Sequence, residues 1–143
     1  MSDQVTTPGT RSAARRRALD ILFEADLLER PVAEVLARHR DDREAGAPDA
    51  YTVELVDGVA ALRAELDARI ADAAEHWTID RMPLVDRNLL RLAAFELAAR
   101  PEVPTAVVLD EAIELAKLLS TADSGRFVNG VLAHIATEVR GTG

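Results

Sequence analysis

Apolar residues recur every three or four positions along most of this chain, a pattern that selects packed α-helices over strands. Ala18, Ile21, Leu22, Ala25 and Leu28 form one such stripe. Leu62, Leu66 and Ile70 form another, while Arg63, Asp67 and Asp72 face elsewhere. Val108, Ala112, Leu115 and Leu119 make a third, and Phe127, Val131 and Ile135 a fourth. Alanine, leucine and glutamate support helix, and runs of β-branched or aromatic residues are scarce.

Prolines and glycines set the boundaries. Pro31 opens a second helix running to about Arg43, with Gly46 and Pro48 in the loop after it. A third segment runs from Asp49 to about Gly58, and a fourth ends near Trp77. Pro83 opens a helix to Arg100 whose Val85, Leu89, Leu90, Leu92, Ala93, Phe95 and Leu97 cover more than one face, which marks it as central. Pro101 and Pro104 bracket the next turn, and Thr105 is placed to cap a sixth helix. A loop over 120–124 precedes the last helix, which ends near Arg140. The expectation is an all-α fold: a single compact domain of about seven helices over residues 11–140, with 1–10 a disordered leader and 141–143 a tail.

Asn129-Gly130 between Val128 and Val131 is also a hairpin-turn signal. The flanking apolar stretches are too short for strands, so helix is the better reading. A glycine inside a helix costs about 1 kcal/mol, which predicts a second helix passing close to Gly130.

Several function classes find no support. The 143 residues are 48% apolar, enough for one packed core. There is no cysteine, which excludes disulfides, thiolate catalysis and Cys-based metal centres and fits a cytoplasmic protein. No apolar run approaches the roughly 20 residues that span a bilayer, and Met1 to Gly9 lacks a signal-peptide core. His39, His76 and His134 fall on three different predicted helices without metal-ligand spacing, so no metal is expected. There is no phosphate-cradling glycine loop and no Gly-x-Ser-x-Gly elbow. Asp110 and Glu111 are sequence neighbours on a helix and point apart. No catalytic residue and no cofactor is expected.

Charge is unevenly distributed. The net charge is −8, yet residues 1–17 carry +3 from Arg11, Arg15, Arg16 and Arg17 against Asp3, leaving −11 on the remainder. An acidic body disfavours non-specific nucleic-acid binding and attracts a basic protein. Four arginines in the first turns of a helix oppose its dipole by about 0.3–1 kcal/mol each, so helix stability does not explain them. Arginine's planar fork suits phosphate, although the same cluster would also serve as a plain solubilising tip. The five aromatics, Phe23, Tyr51, Trp77, Phe95 and Phe127, are expected mostly in the core. Few would remain to stack on RNA bases, so either affinity is modest or a second protein shares the RNA.

The C-terminal third carries a family resemblance. Val107-Val108-Leu109-Asp110-Glu111-Ala112-Ile113-Glu114-Leu115-Ala116-Lys117 leads into Asp123-Ser124-Gly125-Arg126-Phe127-Val128-Asn129-Gly130-Val131-Leu132, with Phe-Val-Asn-Gly-Val-Leu the most specific run. Pro83 to Ala93 with Glu96-Leu97, and Ala14-Arg15-Arg16-Arg17-Ala18 followed by Leu22-Phe23, add to it. Over about residues 11–140 the chain resembles the NusB family. The resemblance implies an all-helical factor that pairs with NusE, a basic ribosomal protein, and with it binds boxA RNA of ribosomal RNA leader transcripts. The complex would help RNA polymerase resist termination. By position, the RNA surface would include Arg11, Arg15, Arg16 and Arg17, and at the start of the last helix Asp123, Ser124, Arg126 and Phe127. A helix N-terminus there offers free N–H groups for phosphate. Asp123 or Ser124 would equally suit a helix cap and Phe127 a core position. Asp86 is the candidate on the acidic surface facing NusE. The chain departs from the family pattern at Ser12-Ala13, where arginines are usual, at Asp110 and at Phe23.

Two other functions compete. NusB-like domains precede the catalytic domain of certain ribosomal RNA cytosine methyltransferases, but this chain has no strand–Gly-rich loop–helix pattern for a methyl donor. A protein–protein adaptor that never touches RNA would keep the acidic body and leave the arginines idle. A homodimer is compatible with the apolar helices and would be expected to compete with RNA or partner binding.

Overall fold

The computed structural model describes residues 8–75 and 77–141, with side chains described from Thr10 onward. Seven α-helices and one 3-10 turn make up its regular structure: α1 (Pro8–Leu28), α2 (Val32–Asp41), α3 (Ala50–Ala61), α4 (Arg63–Ala74), the 3-10 turn Ile79–Arg81, α5 (Leu84–Ala99), α6 (Thr105–Leu119) and α7 (Ala122–Arg140). No strand occurs among the described residues. The expected leader is shorter on the described side, because α1 already begins at Pro8; residues 1–7 lie outside the described set, as does His76.

Helix α5 is the axis of the fold. It packs against α1, α3, α4, α6 and α7, with α1, α2 and α3 grouped on one side and α6 and α7 on another. Its run from Asn88 to Leu97 is buried without a break, which is why its apolar residues cover more than one face. The α1 stripe holds through Ala25, whereas Leu28, expected in the core, is 49% exposed beyond the last inward turn.

Helix ends are set by specific groups. The Asp49 side chain accepts from the Thr52 N–H at 3.1 Å to start α3, and Thr121 accepts from the Ser124 N–H at 3.0 Å to start α7. The expected 120–124 loop is therefore only Ser120 and Thr121, and neither Asp123 nor Ser124 is the cap. Thr105 does not cap α6 either: Pro104 occupies that position with no side-chain bond, and Thr105 Oγ1 accepts from Arg140 at 3.1 Å. Arg140 closes the far end of α5, donating to the carbonyls of Glu96, Leu97, Arg100 and Val103 at 2.7–3.2 Å. The Glu96 and Arg100 carbonyls already accept the backbone N–H groups of Arg100 and Val103, so Arg140 adds second bonds there and ties α7 to the end of α5.

The close approach predicted at Gly130 is absent. Gly130 is exposed, and a Cβ there would have nothing within 4 Å. The tight glycine is Gly58, in the last turn of α3 rather than at its end, where a Cβ would fall 2.2 Å from two ring atoms of Phe95.

A polar network ties α1, α4 and α5 together. Arg87 donates to both Asp26 carboxylate oxygens at 2.7 Å, and Asn88 adds a bond at 2.7 Å. Arg91 reaches Asp26 at 3.3 Å and Asp67 at 2.7 and 3.1 Å. Burial opposes ionisation of Asp26, but the bonds from Arg87 and Asn88 and the charges of Arg87 and Arg91 outweigh it and hold the carboxyl at about 2. A folded value below the unfolded one stabilises the protein above the unfolded value and is lost as pH falls. About 2 kcal/mol of stability should therefore disappear between roughly pH 4 and pH 2. Asp26→Asn should flatten that part of the profile, measured by urea denaturation at stepped pH; a wild-type profile already flat there would contradict it.

Candidate nucleic-acid interface

Helical geometry separates the four arginines expected to act together. Successive residues of a helix turn by about 100°, so Arg15, Arg16 and Arg17 leave α1 in three directions. Arg15 points inward and is only 4% exposed. Its Nε donates to both oxygens of buried Glu96 on α5, at 2.9 and 3.0 Å, and its NH1 reaches Glu111 on α6 at 3.3 Å. Burial works against its charge, but the bond to Glu96 and the nearby negative charges hold the guanidinium pKa above its usual value. Arg17 is spent on the chain after α2: it donates to the carbonyls of Ala45 and Gly46 at 3.3 and 2.9 Å and to His39 Nδ1 at 3.4 Å. His39 Nε2 lies 3.0 Å from Glu24, and burial together with Arg17 and Arg38 pushes the imidazole pKa down.

The remaining two are less committed: Arg16 is exposed and Arg11 half-buried. Arg16 makes one exposed i,i+4 pair with Asp20 at 3.5 Å, an interaction worth little in water. The Arg11 guanidinium lies over the Tyr51 ring, 4.1 Å from its centroid. The basic cluster read from sequence is thus two structural arginines and two available ones.

The second set converges on a pocket of about 250 Å³ lined by Trp77, Met82, Pro83, Asp86, Thr121, Asp123, Ser124 and Phe127. Trp77, expected in the core, is 51% exposed and meets half-buried Phe127 edge-on, with ring centroids 6.2 Å apart. Asp86 is not on the acidic surface where it was expected to face a partner. It is 3% exposed, accepts from the Ser124 hydroxyl at 2.8 Å, and its other oxygen, Oδ1, is buried without a hydrogen-bond partner. Arg126 pairs with Asp123 across one turn of α7 in the open. No hydrogen bond or ion pair among the described residues joins this pocket to the arginines of α1. Its chemistry is an apolar slot with a stacking face and an unmet acceptor, suited to a flat heteroaromatic ring bearing N–H groups.

The NusB family model matches residues 12–137. The chain belongs to the NusB family. Transcription antitermination protein NusB of Acidothermus cellulolyticus is 56% identical over 125 residues, covering 87% of this chain and 86% of that protein. Its namesake in Salinispora arenicola is 52% identical over 128 residues, covering 88% and 94%. Among solved structures, T. maritima NusB superposes with a TM-score of 0.78 at 32% identity, covering 90% of this chain and 91% of that one. The structure of antitermination factors NusB and NusE in complex with dsRNA matches with a TM-score of 0.78 at 31% identity, covering 90% and 96%. The family fold is therefore shared over nearly the whole chain. Trp77 and Met82 escaped the NusB-like motif reading because they lie outside its runs, between α4 and α5. A tryptophan followed closely by Pro83 was the available signal, since irregular segments run over the surface.

Proposed function

We propose that this chain is a transcription antitermination factor that binds boxA-type RNA of ribosomal RNA leader transcripts with NusE and helps RNA polymerase resist termination. The names of its relatives and the NusB–NusE–dsRNA neighbour support that reading. The observation that carries it is the pocket at the start of α7, lined by an exposed indole, Phe127 and Asp86, whose Oδ1 is buried and unpartnered. A base entering there stacks on Trp77 or Phe127 and donates an N–H to Asp86, while Arg11, Arg16 and Arg126 supply phosphate contacts. Asp123 and Ser124 shape the rim, and Arg15 and Arg17 act through the fold that carries the others. The acidic remainder of the chain complements a basic partner such as NusE. The protein acts in the cytoplasm and carries out no chemical conversion in this reading; no helix among the described residues is long and apolar enough to cross a membrane.

Fluorescence anisotropy with labelled boxA-type and scrambled RNA, with and without NusE, tests the reading. Preferential boxA binding tightened by NusE is expected. Trp77→Ala should weaken it about five- to 100-fold, the range for removing one stacking platform. Equal affinity for both RNAs, or none with NusE present, would return the adaptor reading to the front.

A further inference from the structure

Arg11 and Tyr51 join α1 to α3 in an arrangement that the RNA reading alone does not require. The guanidinium carbon lies over the ring, 4.1 Å from its centroid and well inside cation–π range. Its Nε is enclosed and has no acceptor among the described residues. The other arginines of the cluster have protein partners: Arg15 on Glu96, Arg16 on Asp20, Arg17 on loop carbonyls. Arg11 is held by its face, a mode that uses none of its N–H donors.

The ring is itself anchored. Tyr51 donates its hydroxyl to Glu96 at 2.5 Å, and Glu96 is gripped from α1 by Arg15. Burial and the Glu96 interaction raise the phenol pKa above its usual value, so the hydroxyl stays a donor throughout the physiological range. A buried relay of Arg15, Glu96 and Tyr51 thus ends at the stacked Arg11.

We propose that Tyr51 is a positioning residue that holds Arg11 ready for an RNA phosphate, with Glu96 and Arg15 fixing the ring from behind. The inference rests on the RNA-binding reading and deepens it. Arginine loses much rotamer freedom when it grips an anion, and a side chain already ordered on a ring meets that loss before the RNA arrives. The ring suits this role because its negative face balances the cation without using any N–H donor.

The test is a double-mutant cycle read by RNA anisotropy at several salt concentrations, with NusE present. Tyr51→Leu should weaken boxA binding about three- to tenfold, the equivalent of one cation–π interaction. It should also lower the slope of log affinity against log salt by about 0.7, as expected when the protein neutralises one fewer phosphate of a single strand. Tyr51→Phe keeps the ring but loses the hydroxyl bond to Glu96, so both values should fall between those of wild type and Tyr51→Leu. In an Arg11→Ala background, Tyr51→Leu should cause no further weakening. Equal weakening in both backgrounds, or an unchanged salt slope in Tyr51→Leu, would overturn the positioning role while leaving RNA binding intact. A wild-type protein that binds no RNA would overturn the RNA reading and this inference with it. Circular dichroism melting of each variant separates weaker binding from a failure to fold, and a folded Tyr51→Leu with wild-type affinity also overturns the proposal.

Discussion

Glu96→Ala is expected to remove about 3–5 kcal/mol of folding stability, a large share of what a domain of this size has in reserve. The carboxylate is 2% exposed and accepts from Arg15 and Tyr51 at once. Alanine leaves the Arg15 guanidinium buried with only the longer 3.3 Å interaction with Glu111, which is itself 30% exposed. It also strands the Tyr51 hydroxyl. The cost arises from an uncompensated buried cation more than from the missing attraction, so Arg15→Leu with Glu96→Leu should recover much of it. Urea denaturation followed at the helix band measures both. A midpoint that barely moves in Glu96→Ala would mean that Arg15 escapes to solvent and that the pair does not hold α1 against α5.

Gly58→Ala is expected to destabilise by about 2–3 kcal/mol, against the usual preference of a helix for alanine. The new methyl would meet Phe95 ring atoms at 2.2 Å, and Phe95 is 6% exposed in the C-terminal half of α5, so its ring has little room to retreat. Phe95→Leu should relieve the clash in the double variant, giving a non-additive pair. Gly130→Ala is the control, because its site is open and exposed; it should raise stability by about 0.5–1 kcal/mol. Melting temperatures of the wild type and these variants decide the matter. Equal responses at Gly58 and Gly130 would show that Phe95 can swing aside and that α3 does not press tightly on α5.

The two glycines show where sequence reasoning stops. Both lie within helices, and the close approach was expected at Gly130 because a glycine inside a helix costs about 1 kcal/mol. Which glycine faces a neighbouring helix depends on how α3 lies across α5, and nothing local to either residue encodes that. The arginines behave in the same way. Four positive residues in seven positions look like one patch, but a helix distributes them around its axis. Arg15 finds Glu96, 81 residues away, and Arg17 finds carbonyls 28 and 29 residues away. The five aromatics were expected mostly in the core, and the exposure of Trp77 follows from its place on the connection between α4 and α5.

By itself the sequence determined the all-helical class, the number and approximate limits of the helices, the centrality of α5 and, through the Phe-Val-Asn-Gly-Val-Leu run, the family. These depend on periodicity and on residues adjacent in the chain, which a linear reading resolves. Only the tertiary structure decided that Asp86 lines a pocket, that Arg11 lies over the Tyr51 ring, and that Arg15 and Arg17 of the basic cluster are held by protein partners. Each of these requires knowing which face of one helix meets which face of another, and that is settled by the packing of side chains distant in sequence.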